Sequence, residues 1–158
     1  MKTNKLIMTL LTLTALFTVP IARAGDNPAM MEPVKSVYDN YLKIQATLAK
    51  DSLEGVPGKA NAMAKAIKGD SMKMLSPDVA QQAEALAGAK DLKTARKAFK
   101  PLSDSLIKYL ADNKVQTGSY TEVYCPMAEA SWLQTGSKIS NPYMGKEMPT
   151  CGDIKRKF

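Results

Sequence analysis

Histidine is missing altogether from this chain of 158 residues. Without imidazole, no Ser-His-Asp or Cys-His nucleophile system, no histidine zinc site and no histidine general base can be assembled. Cysteine occurs only twice and never as CxxC, so a redox enzyme lacks both its motif and a base to activate a thiol. Long apolar runs are also scarce: Leu6 to Val19 is too short for a comfortable transmembrane span, and no second one follows. These absences point to a protein that is not an enzyme and has no transmembrane segment in its mature chain.

The one apolar run has informative flanks. Lys2 and Lys5 precede it and Ala22-Arg23-Ala24 follows it, the charged, apolar and small-residue order of a secretory signal peptide cut after Ala24. The expectation is a signal peptide over residues 1–24, a periplasmic location, and a single domain over residues 25–158 without a lipid anchor, since no cysteine stands at the cut. Loss of Lys2, Lys5 and Arg23 lowers the formal charge of +7 to a modest +4. Export argues against nucleic acid as the partner, and the remaining lysines read first as a solvated face.

Helical spacing dominates the middle of the chain. Val34, Val37, Tyr41, Ile44 and Leu48 recur at steps of three and four behind Pro33, predicting an amphipathic helix that ends near Gly55-Val56-Pro57-Gly58. A weaker stripe of Ala60, Met63 and Ile67 runs into Gly69-Asp70, with Met63 assigned to core packing. Ser76-Pro77-Asp78 reads as cap, first-turn proline and dipole-matched acid of a third helix that stops near Gly88. Asp91 caps the fourth, whose stripe of Leu92, Ala95, Phe99, Leu102, Leu106 and Tyr109 passes Pro101, a residue expected to kink it. Lys93, Arg96, Lys97 and Lys100 fall on its outer side. Short connections between such stripes favour an all-α, antiparallel four-helix bundle over residues 33–113. An irregular, turn-rich C-terminal segment then packs on it, with Tyr120 to Tyr124 as a possible short strand and Asn141-Pro142-Tyr143-Met144-Gly145 as a turn.

That segment gathers sulfur. Cys125, Met127, Met144, Met148 and Cys151 lie within 27 residues, around the single tryptophan, Trp132. Thiolate and thioether are soft donors, suited to Cu(I) or Ag(I) rather than to calcium or magnesium. Cys125-x-Met127 places two such donors on a turn at Pro126, Met144 and Met148 share a face if their turn is helical, and an indole face attracts cations. An alternative stands beside this reading: two cysteines in an exported protein form a disulfide, and closing a loop of about 25 residues stabilises a fold by roughly 3–4 kcal/mol. Methionines, for their part, fill space around aromatic rings. Met30, Met31, Met72 and Met74 form two further pairs in loops or at helix ends.

The series C-P-M-A, W-L-Q and N-P-Y-x-G-x-x-M-x-x-C-G, from Cys125 to Gly152, resembles the signature of a periplasmic domain-of-unknown-function family. That domain is also found attached to the membrane-fusion subunits of copper and silver efflux pumps. Tyr41-Leu42-x-Ile44-Gln45-x-x-Leu48-x-x-Asp51 and Ala95-Arg96-x-x-Phe99-x-x-Leu102-Ser103 are similar to the same family's pattern, so the likeness spans residues 34–153. It departs at Ala130-Ser131, where many relatives carry a further small residue. The resemblance implies a soft-metal role beside a heavy-metal efflux adaptor or a periplasmic metallochaperone. The motif positions carried over are Cys125, Met127, Trp132, Asn141, Tyr143, Gly145, Met148 and Cys151, with Asn141 and Gly145 shaping a turn and Met144 at a variable position.

Overall fold

The computed structural model describes residues 28–158, so the expected signal peptide lies outside the described residues. After a single 3-10 turn at Pro28–Met30, the described residues form four α-helices and three β-strands. The helices are α1 (Val34–Leu48), α2 (Val56–Lys68), α3 (Pro77–Ala87) and α4 (Leu92–Asp112), and the strands are β1 (Thr121–Cys125), β2 (Ala130–Gln134) and β3 (Asp153–Lys157). The expectation of an all-α fold is therefore corrected: the protein is mixed, four helices with a three-stranded antiparallel sheet of order β2-β1-β3.

The short strand expected at Tyr120 to Tyr124 is present as β1, while β2 and β3 were not read from the sequence. β1 is buried at Thr121, Glu122, Val123 and Cys125, so it lacks the in-out alternation of a half-buried strand. β3 is exposed along all five residues and is built mainly of charged side chains, so it carries no apolar signal. Its place is set by pairing across the chain, Tyr124 opposite Asp153 and Val123 opposite Ile154. Tyr120 and Phe158 then exchange backbone bonds at 3.3 and 2.8 Å, fastening the end of the chain.

Local signals placed most helix ends correctly. Ser76 Oγ accepts the Asp78 N–H at 3.3 Å to start α3, and Asp91 Oδ1 accepts the Thr94 N–H at 2.7 Å to start α4. α4 continues through Pro101. The first break differs from its prediction. α1 ends at Leu48 rather than near Gly55, and Asp51 turns the chain with φ of 57°. Gly55 to Gly58 opens α2 instead: Gly55 is its left-handed N-cap and Pro57 lies in its first turn, where a missing N–H is harmless.

Consecutive helices pack on one another, while α1 and α4 stand further apart and meet through long side chains: the Tyr38 hydroxyl donates to the Leu106 carbonyl at 2.7 Å, and Tyr41 reaches Phe99 and Ser103. β2 packs against both. One continuous core results, running from Val37, Tyr41 and Met63 through Phe99 and Leu102 to Val123, Trp132 and Leu133. A file of rings links its parts: Tyr41 stacks on Phe99 at 4.9 Å, Phe99 meets Tyr143 at 5.8 Å, and Tyr143 meets the edge of Trp132 at 6.0 Å. No helix of the described residues is long and apolar enough to cross a membrane.

Candidate functional site

The C-terminal segment is held by polar side chains of the helices. On α1, Gln45 Nε2 donates to the Ser140 carbonyl at 2.6 Å, and the Tyr41 hydroxyl accepts the Leu133 N–H at 3.0 Å while sharing a 2.8 Å bond with Ser103 of α4. Arg96 is not on a solvated outer face, as helical spacing had placed it. Its Nε donates to the Pro142 carbonyl at 2.8 Å and its Nη2 pairs with Asp51, whose other oxygen accepts the Lys146 N–H at 3.0 Å. Gly145, with φ of +54°, sits against this ion pair so closely that a Cβ would collide with both partners.

Asn141 organises the loop itself. It is fully buried, and its Oδ1 accepts the N–H groups of Tyr143 and Met144 at 2.8 and 3.0 Å. Its Nδ2 donates to the Cys151 carbonyl at 2.8 Å, and its backbone N–H to the Pro149 carbonyl at 2.9 Å. The turn at residues 141–145 is thus as expected, closed by Gly145 N–H to the Asn141 carbonyl at 3.1 Å. Tyr143 donates its hydroxyl to the Ser131 carbonyl at 2.8 Å. Gly152 lets the chain pass Trp132, since a Cβ there would lie 2.9 Å from the indole and 2.7 Å from Val123.

These contacts bring the two cysteines together. Cys125 ends β1 and is fully buried; Cys151 closes the turn from Met148 and is half-buried; both are free, with the Cys151 thiol hydrogen-bonded to the Cys125 sulfur. Burial pushes the Cys125 thiol up. Hydrogen bonds onto its sulfur from Cys151, the Ala128 N–H, the Asn141 amide and the Met127 N–H outweigh this and leave it below the ordinary thiol value. Cys151 is raised, first because its thiol donates a hydrogen bond to Cys125, then by partial desolvation and the nearby charges of Cys125 and Asp153. The two thiols titrate as a coupled pair, with the hydrogen bonds onto the Cys125 sulfur favouring the first ionisation there.

The other sulfur residues divide. Met127 stands 65% exposed on the turn after Cys125, with its backbone N–H against both cysteine sulfurs. Met148 is half-buried, on the turn that Cys151 closes. Met144 packs against the hydrophobic core, and the segment around it is a succession of turns rather than a helix. Trp132 is fully buried, its Nε1 donating to Gln134 at 3.1 Å. Among the described residues no three His, Cys, Asp or Glu side chains group about a possible ion position. A soft ion here would have sulfur donors alone.

Spacing did not reveal the roles of Asp51, Arg96, Ser103, Tyr41 and Gln45. Their only signal was membership in the quoted helix patterns, and each turns out to grip the sulfur-bearing segment. A family model described as a protein of unknown function, DUF3347, matches residues 37–118, from the first turn of α1 to just before β1. No curated protein and no solved structure matches the chain.

Proposed function

We propose, for a chain that belongs to the DUF3347 family of proteins of unknown function, that it binds a soft monovalent metal, Cu(I) or Ag(I), in the periplasm and hands it on without catalysing a reaction. The observation that carries this reading is the pair of free cysteines brought side by side. Four hydrogen bonds onto the Cys125 sulfur favour its thiolate, and a monovalent ion would replace the thiol proton between the two sulfurs. Exposure rises from buried Cys125 through Cys151 to Met127, a graded path from solvent inward. Met127 and Met148 are the thioethers able to complete the coordination, while Met144 serves packing. Asn141, Tyr143 and Gly145 shape the loop, and Trp132 backs it.

The C-P-M-A to C-G signature and its likeness to domains attached to copper and silver efflux subunits support a heavy-metal efflux adaptor or a metallochaperone as the partner. Anaerobic titration of the protein with Cu(I) against a competing chelator tests the reading. The wild type is expected to withdraw copper, Cys125→Ser and Cys151→Ser to lose it, and Met127→Ala to weaken it about tenfold, equivalent to about 1.4 kcal/mol. A wild type that leaves all copper with the chelator overturns it.

The same adjacency of sulfurs favours one second reading, a Cys125–Cys151 disulfide that staples the sheet to the loop in a purely structural or protein-docking module. Thiol counting separates the two. Protein drawn from the periplasm without reductant should expose one alkylatable thiol, Cys151, when native and both when unfolded if the metal reading holds, and none in either state if the staple does.

A further inference from the structure

In the sheet order β2-β1-β3, β3 has β1 on one side and no strand on the other. All five of its residues are exposed, and among the described residues no turn or loop bonds its backbone from the open side. The alternation of antiparallel pairing fixes which groups stand there. Tyr120 and Phe158 exchange both backbone bonds, so the next pair, Thr121 and Lys157, is a non-bonded one whose N–H and carbonyl groups point away from each other. The Lys157 N–H and carbonyl therefore face the open edge.

The side chains on this edge are mainly cationic. Lys155, Arg156 and Lys157 follow one another, with Asp153 the single acid of the strand. Arg156 is engaged, paired with Glu122 and lying 4.9 Å over the Phe158 ring. Lys155 lies 5.3 Å over the Tyr124 ring, and neither it nor Lys157 has a carboxylate partner among the described residues. Ile154, 42% exposed, adds an apolar contact beside them, and the register with β1 shifts by one residue at Lys155. Lysines and a register shift on an edge strand keep identical chains from pairing, since two such edges would set like charges side by side. The same charges draw an acidic strand. A lipid surface or a nucleic acid would meet the lysines alone and make no use of the open backbone.

We infer that the open edge of β3 takes an acidic, extended segment of a partner protein as a fourth strand of the sheet. Backbone bonds to Lys157 set its position, Lys155 and Lys157 pair with its carboxylates, and Ile154 meets one of its apolar residues. β3 begins two residues after Cys151, so one end of the docked segment comes close to the cysteine site, but the docking itself does not rest on metal binding.

A capped peptide of alternating Glu and Val, added to the full ¹⁵N-labelled chain in metal-free buffer, tests this through amide hydrogen exchange read by NMR. At saturation the Lys157 N–H is expected to exchange about tenfold more slowly, as a donor that has entered a ladder. Reversing the edge charge with Lys155→Glu and Lys157→Glu, both at exposed positions, should abolish this protection and let a peptide of alternating Lys and Val protect the same amide instead. Polyacrylate, which carries the charge with no backbone to pair, and phosphatidylglycerol vesicles serve as the competing probes. An unchanged Lys157 exchange rate with the Glu-Val peptide overturns the proposal, as does equal protection by polyacrylate or vesicles, or protection that arises without peptide as the protein is concentrated. Because no metal is present, failure here and failure of the cysteine site are told apart.

Discussion

Asn141 uses both ends of its amide at once, two backbone N–H groups on the oxygen and the Cys151 carbonyl and Cys125 sulfur on the nitrogen. Such a side chain bonds four groups of the loop and sheet at once, three of them backbone groups in a partly buried segment. Asn141→Ala is expected to cost about 3 kcal/mol in chemical denaturation and to separate the two thiols, seen as faster alkylation of Cys125. Gly145 and Gly152 act at the same scale by having no Cβ where the loop presses on the Asp51–Arg96 pair and on Trp132. As expected from the sequence, Asn141 and Gly145 shape the turn. That Gly145 also yields room to an ion pair between the turn after α1 and α4 could not be read there, because neither partner is near it in the chain.

Between elements, the contact of α1 and α4 with the loop is electrostatic at its edge and aromatic at its centre. Asp51 is held below the usual carboxylate range, first by its hydrogen bond from Arg96 and then by the Lys146 N–H. Asp91, at the start of α4, is lowered by the Thr94 N–H and hydroxyl. A depressed native value means that the stability each lends is complete above the ordinary carboxylate range and is lost as pH falls through that native value. Asp104, raised by partial desolvation, works in the opposite sense and gains from protonation. The thermal midpoint should therefore fall as pH drops below about 4, and Asp51→Asn should flatten that fall while lowering the midpoint at neutral pH. An unchanged pH profile in Asp51→Asn would remove the ion pair from the docking of the loop. The helix caps at Ser76 and Asp91 were legible because a cap bonds two or three residues away. Gly55 to Gly58 was read as a stop and proved to be a start, because a left-handed glycine and a proline serve either side of a break.

Across the described residues, the helices and the sheet share one core. β2 packs on both α1 and α4, and Tyr41, Phe99, Tyr143 and Trp132 form one file of rings through both parts. The matched family region, residues 37–118, is thus not self-sufficient in packing. A chain cut after Gly118 should bare Tyr41 and Phe99 and lose its cooperative thermal unfolding by far-ultraviolet circular dichroism. A sharp transition in that fragment would show that the helices stand alone. Amphipathic periodicity by itself determined the four helical segments and the burial of Met63, because each stripe has one face to hide and the signal repeats within a turn or two. Composition determined that any soft donor must be sulfur. Only the tertiary structure decided that β1 is joined by two further strands, that Arg96 faces inward, and that Cys125 and Cys151 lie side by side. Those facts rest on pairings between residues tens of positions apart, whose contact depends on chain closure rather than on local preference.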